Sequence, residues 1–155
     1  VFADGVSEVL IERHESNEGG DGLTAAHDGY IEPFGLIHER TIQINSAGTM
    51  IRGKDRLKTA DDTDPERSAE DQAVIRFHIH PQIEIKTVDK NEVRLVAPDG
   101  ESWTLSSIDV ELTIEDDVFF ADPSGIRASK QVELAFRVGD LPEVQWVMMK
   151  KSAPR

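Results

Sequence analysis

The sequence predicts an all-β fold, an antiparallel β-sandwich, and three observations lead there. Apolar and polar residues alternate with period two over most of the chain, the pattern of strands that give one face to a core and the other to water. No segment of helical length carries a 3.6-residue period. The alternating segments are short and are punctuated by turn-forming clusters: Asp28-Gly29, Ser46-Ala47-Gly48, Asp89-Lys90-Asn91, Pro98-Asp99-Gly100, Pro123-Ser124-Gly125 and Gly139-Asp140. Many short strands, each with one apolar face, bury those faces by stacking sheet on sheet.

In chain order, "HDGYIEPFGLIHERTIQI" (27–44) comes first. Its Asp28-Gly29 pair reads as a turn, and Tyr30 is either core or a sugar-stacking platform, core being the commoner fate of such a residue. A strand over 36–44 sets Leu36, Ile42 and Ile44 on one face together with His38 and Arg40. An arginine is costly to bury without a partner. That end of the face therefore either forms an internal salt bridge with one of the thirty acidic residues or opens as a basic notch, shared with Arg76 and the nearby histidines, that suits an anionic group. "IRGKDRL" (51–57) follows, and then "ADDTDPERSAEDQ" (60–72), with six acids against Arg67. This acidic stretch, at about 58–72, reads as a solvated loop, since it lacks the ligand spacing and glycine turn of a calcium loop.

"AVIRFHIHPQIEI" (73–85) places Ile75, Phe77 and Ile79 on one strand face and Arg76, His78 and His80 on the other. Two imidazoles two residues apart can share a metal ion; a guanidinium on the same face repels a divalent cation and suits a carboxylate or sulfate. Both alternatives stand for His78 and His80, as a metal pair or as part of an anion-binding face. Later strands are read from Val93 and Leu95; from Trp103 and Leu105; from Val110, Leu112 and Ile114; from Val132, Leu134, Phe136 and Val138; and from Val144, Trp146 and Met148. The two tryptophans lie on apolar faces and read as core. "APDGES" is the sharpest hairpin signal, because Asp-Gly supplies the positive φ of a tight turn.

The chain has 155 residues, 38% hydrophobic and 30% charged, which suits one globular domain over 1–155. A formal charge of −13 excludes nucleic acid as a partner, because phosphate binding needs a cationic surface. There is no apolar run of membrane-spanning length, and the absence of cysteine removes disulfides and thiolate chemistry. No nucleophile motif is present, and acid clusters such as Glu115-Asp116-Asp117 are too common in an acidic chain to mark a glycosidase.

Taken together, His27 to Tyr30, Gly35 with His38 and Arg40, Gly53 with Asp55 and Leu57, Arg76 to Pro81, Gly100 with Trp103, and a "KQVEL…VQWVM" ending occur in an order that resembles the C-terminal β-rich part of heparinase II/III-like proteins. The resemblance covers most of the chain. It implies a polysaccharide lyase in which an N-terminal α/α toroid joins an antiparallel β-sandwich across a long cleft, cleaving uronate-containing glycans by β-elimination. It also implies that the catalytic Tyr and Asn come from the toroid, and that a catalytic His and zinc ligands lie around His-x-His-x-Asp and His-Asn segments. Neither segment occurs here; "RFHIHP" continues with Gln82. The expectation is therefore a chain that begins after the catalytic elements, contains no catalytic residue, is inactive alone, and serves as cleft wall or rigid support.

On that resemblance the partners are an acidic polysaccharide and the toroid, with zinc or calcium belonging to the full protein and a periplasmic or secreted location for a bacterial lyase. The substrate-binding candidates are Tyr30, His38, Arg40, Arg76, His78 and His80. Three competing readings remain: a non-catalytic carbohydrate-binding module, a purely structural domain, and a cupin-like metal site at His78 and His80.

Overall fold

The computed structural model describes residues 6–15 and 19–152. Among these are eleven strands and one single-turn helix, and the strand registers are antiparallel. The chain thus adopts the predicted antiparallel β-sandwich class. No helix among the described residues is long and apolar enough to cross a membrane. The residues group into two compact units, one made of the chain up to Gln72 with Arg137–Trp146, the other of Ala73–Phe136 with the chain from Val147 onward.

In the first unit, β1 (Val9–Glu15), β2 (Asp21–Tyr30), β3 (Leu36–Ile44) and β4 (Met50–Thr59) lie side by side in that order, and β11 (Glu143–Lys151) follows β4, its Glu143–Trp146 segment belonging to this unit. Leu36, Leu57, Val144 and Trp146 are buried here. Asp28-Gly29 corrects the sequence reading. The pair is not a turn; it lies inside β2, where the β2–β3 register shifts between His27 and Tyr30. Asp28 uses its carboxylate to accept the backbone N–H groups of Ser7 and Glu8, so the local signal of a turn serves a bulge instead. The reversal comes three residues later, in helix α1 (Ile31–Phe34), which ends at Gly35 with φ of 69° and a 2.7 Å bond from Gly35 N–H to the Ile31 carbonyl. That left-handed closing position is why a glycine stands there.

The acidic stretch is exposed along most of its length and is tethered at several points. β4 runs to Thr59, so the connection spans 60–71. Arg56 and Lys58 hold Asp62 and Asp64, and Arg137 donates to the Ala69 carbonyl at 3.2 Å. A Cβ on Gly139 would meet the carbonyl oxygens of Arg67 and Ala69 at 2.6 Å, which is why glycine opens the Gly139-Asp140 turn.

In the second unit, β5 (Gln72–Ile79), β10 (Arg127–Arg137) and β9 (Leu112–Phe119) form a three-stranded sheet with β10 in the middle, and β6 (Glu84–Asp89), β7 (Glu92–Val96) and β8 (Ser102–Ser107) run on to β11. The alternation works as read from sequence: Ile75, Val93, Leu95, Leu105, Val132 and Leu134 are buried, while Arg76 and His78 are exposed. Val132 and Leu134 are wholly inaccessible, on the central strand where both flanks are covered. Leu134→Ala is expected to lower the unfolding free energy by about 3 kcal/mol, the transfer loss plus a cavity, as measured by urea denaturation. A loss below about 1 kcal/mol would mean the site is not packed as described.

Candidate functional site

The densest polar constellation lies in the first unit and centres on Asp55. The β3–β4 register sets Arg40 opposite Asp55 and Ile42 opposite Gly53, and the β2–β3 register sets His27 opposite His38. All these side chains therefore project from one face of the sheet. Asp55 is 4% exposed and fully engaged. Its Oδ1 accepts His38 Nε2 at 2.6 Å and Arg40 Nε at 2.7 Å, and its Oδ2 accepts the Trp146 indole N–H at 2.9 Å. Gly53 is what lets the indole lie there, since a Cβ at that position would sit 2.0 Å from the ring. Burial pushes the Asp55 carboxyl toward the neutral form, but the His38, Arg40 and Trp146 hydrogen bonds and the Arg40 charge outweigh it and hold the pKa below 3.8.

Two further bonds extend this hub outward. His38 Nδ1 lies 3.2 Å from His27 Nε2, and Gly29 N–H donates to His27 Nδ1 at 3.2 Å. The backbone donor fixes every tautomer in the series. His27 accepts at Nδ1 and so carries its proton on Nε2; it donates to His38 Nδ1; His38 then carries its proton on Nε2 and donates to Asp55. The sequence of bonds has one direction and no spare proton. Any added proton sets two N–H groups against each other, at His27 Nδ1 or between the rings. Burial first, and then the electrostatic effect of the neighbouring His38 ring, lower the His27 pKa below 6.5, with Asp28 partly opposing.

Tyr30 and Phe34 continue the cluster to the surface. Tyr30 stands 5.2 Å from His27 and 6.3 Å from Phe34, centroid to centroid, with the Tyr30 and Phe34 rings inclined at 63°. Tyr30 is 43% and Phe34 52% exposed, so the more common fate, core, is not the one Tyr30 meets. The Arg40 side chain is 38% exposed and commits its Nε to Asp55.

The remaining candidates lie in the second unit, each with its own partner. Arg76 Nε donates to Glu133 at 2.9 Å. His78 Nδ1 meets Asp117 at 2.6 Å, a bond that, ahead of the Val118 backbone N–H, lowers the Asp117 pKa. His80 accepts the Gln82 N–H at Nδ1 and packs edge-on against Phe119 at 4.8 Å. Ser129, opposite Asp117 in the β10–β9 register, is small and buried, which suits the reach of His78 across the central strand. Among the described residues no three His, Asp or Glu side chains come together as a metal site. Of the two tryptophans, Trp146 is core, whereas Trp103 is half-buried and donates to Glu101 at 2.8 Å.

Sequence reasoning brought His38 and Arg40 to one face but did not find Asp55 as their partner, nor the links to His27 and Trp146. The signal was available: in "IRGKDRL" a lone acid occupies an inward position between Gly53 and Leu57. Asp117 was dismissed among three consecutive acids, although its alternation separates it from Asp116.

The profile of the family described as Heparinase II/III-like, C-terminal, matches residues 4–147. The fold recurs in solved structures. The heparan sulfate lyase HepC from Pedobacter heparinus aligns with a TM-score of 0.74 at 13% identity, covering 96% of this chain. A heparinase III gene product aligns at 0.69 and 12% identity over 94% of the chain, and a crystal structure of heparinase III at 0.66 and 10% over 93%. The chain spans 22% of the length of each of these three. No curated protein matches.

Acid should weaken this site in two stages. His27 binds a proton more readily unfolded than folded, so its contribution is complete above pH 6.5 and lost as pH falls below that value. Asp55 follows the same sign at lower pH, its contribution being complete above pH 3.8 and lost as pH falls through the folded value. Urea denaturation at a series of pH values should show both declines, and His27→Gln should flatten the first while leaving the second; an unchanged first decline would refute the tautomer series. Asp55→Asn should cost about 1–3 kcal/mol, because the amide cannot accept from all three donors at this buried position, as read from the same denaturation curves at pH 7.5.

Proposed function

The chain belongs to the heparinase II/III-like C-terminal family, and from that membership we propose that it is the β-sandwich module of a polysaccharide lyase that cleaves uronate-containing glycans by β-elimination. The observation that carries this reading is the pairing of a family match over residues 4–147 with fold matches that cover nearly all of this chain but 22% of each larger lyase. The partners in this proposal are an acidic polysaccharide and an N-terminal α/α toroid of the same polypeptide.

The chemistry of such an elimination sets the division of labour. The uronate carboxylate must be neutralised, a base must remove the proton beside it, and an acid must protonate the departing glycosidic oxygen. The groups best placed in the described chain are spoken for. The Asp55 carboxylate is held ionised by three donors, and His27 and His38 each have both ring nitrogens engaged. Such groups brace a surface; they do not exchange protons with a substrate without first breaking a bond that holds the sheet. The chain therefore supplies a rigid wall with a glycan-facing patch, and the acid and base come from the rest of the polypeptide.

The test follows the ultraviolet absorbance of the unsaturated uronate product with heparan sulfate, hyaluronan and alginate. The complete polypeptide is expected to release product from at least one, and the 155-residue chain alone from none. Product from the chain alone would overturn the division of labour, and an inactive complete polypeptide would overturn the lyase reading.

A further inference from the structure

Tyr30 and Phe34 are two neighbouring aromatic rings left largely in solvent at the end of an otherwise satisfied polar network. Both are set in place by the backbone: Tyr30 closes the β2 bulge, and Phe34 ends the single turn of α1 before Gly35 reverses the chain. The Gly29 N–H bond to His27 pins the bulge, and the His27–His38–Asp55 bonds tie it to β3 and β4. The aromatic pair is thus held rigidly without being buried, an arrangement that serves binding better than stability.

A cation stands on the same sheet face. Arg40 follows His38 by two residues on β3, about 6.6 Å further along the strand, while His38 lies opposite His27 and within 6.4 Å of the Tyr30 ring. The bond to Asp55 occupies Nε, one of the five N–H groups of the guanidinium, and fixes the plane of the other four. From Tyr30 to Arg40 the face therefore runs from exposed aromatic carbon, through two imidazoles, to an oriented bidentate donor. Two acids border it. Asp28 is engaged by Ser7 and Glu8, and Glu32 lies in the single turn of α1 between Tyr30 and Phe34 in sequence.

Resting on the glycan reading above, we infer that Tyr30, Phe34 and Arg40 form a subsite for two adjoining pyranose units, at least one of them anionic. The C–H face of the sugar lies on Tyr30, Phe34 walls it at an angle, and the carboxylate or sulfate of the same or the adjoining unit takes the outer N–H groups of Arg40. The apolar face of a pyranose matches an aromatic ring, and a planar oxyanion matches a guanidinium edge. A neutral oligosaccharide satisfies only the first contact, and a free sulfate ion only the second.

The experiment is an NMR titration of the 155-residue chain with three oligosaccharides of equal length: unsulfated uronate-containing, sulfated uronate-containing, and neutral. The expected result is perturbation of the Tyr30, Phe34 and Arg40 side-chain signals by the two acidic oligosaccharides. The neutral one should bind at least tenfold more weakly. Tyr30→Ala and Phe34→Ala alter exposed side chains and should leave the fold intact, so each should weaken acidic binding by roughly tenfold. Comparison of the two acidic ligands assigns the anion: equal affinity points to the carboxylate, tighter binding of the sulfated one to sulfate. Binding that perturbs other residues while Tyr30→Ala is without effect overturns the subsite and leaves the lyase reading standing. No binding of any oligosaccharide also overturns the subsite, and the lyase reading is then judged separately by the activity of the complete polypeptide.

Discussion

A single buried carboxylate organises the first unit. Asp55 has almost no contact with water and is ionised, a state that a protein interior tolerates only with charge and hydrogen-bond compensation. Compensation comes from three directions: Arg40 and His38 on β3 and Trp146 on β11. Each of these demands something further. The indole needs the bare backbone of Gly53, and His38 needs an acceptor site filled at Nδ1, which His27 supplies. The arrangement also fixes register. A slip of one residue between β3 and β4 would move Arg40 to the opposite face from Asp55 and strand both charges. Hydrophobic alternation alone specifies register on this sheet weakly, because much of β3 is only half-buried.

The second unit achieves order by other means. Its central strand carries Val132 and Leu134 with no exposed surface, and apolar burial there supplies both stability and register. The opposite face of the same sheet is lined with solvent-facing pairs, Arg76 with Glu133 and His78 with Asp117. Exposed pairs of this kind contribute roughly 0–1 kcal/mol, so they shape the surface without determining the fold. Two arginines that look equivalent in sequence thus differ in kind: Arg40 compensates a buried charge, and Arg76 makes a surface ion pair.

That difference marks where sequence reasoning reaches and where it stops. Alternation located the strand cores, and Val93, Leu95, Val132, Leu134, Val144 and Trp146 are buried as their spacing required, because a pleated strand forces side chains to alternate whatever the topology. Same-strand relationships were equally legible, so His38 and Arg40, or Arg76 and His78, were placed on common faces. Cross-strand partners were not, since they depend on which strands pair and in what register. Asp55 lies fifteen residues from Arg40 and Trp146 ninety-one from Asp55. Asp28-Gly29 shows the converse error: a sequence signal that is local and correct in its chemistry was put to a different use, because a backbone donor from Ser7 met the aspartate that a turn would have used.

The net charge of −13 bears on how such a module could face a polyanion at all. Diffuse repulsion is screened within about 8 Å at physiological ionic strength, so the chain as a whole neither captures nor expels an acidic glycan at a distance. What decides is the local field at contact, and there Asp55 has a second consequence. By offsetting the Arg40 charge it reduces the net attraction of the site for anions, yet by holding Nε it removes the rotational freedom of the guanidinium. A fixed, partly compensated cation gives up affinity for selectivity: it accepts an oxyanion that arrives in the right plane and gains little from one that does not. On the proposed reading, one oriented arginine beside exposed aromatic rings suits the wall of a glycan cleft, whereas a broadly basic surface would bind the same polymer in every register at once.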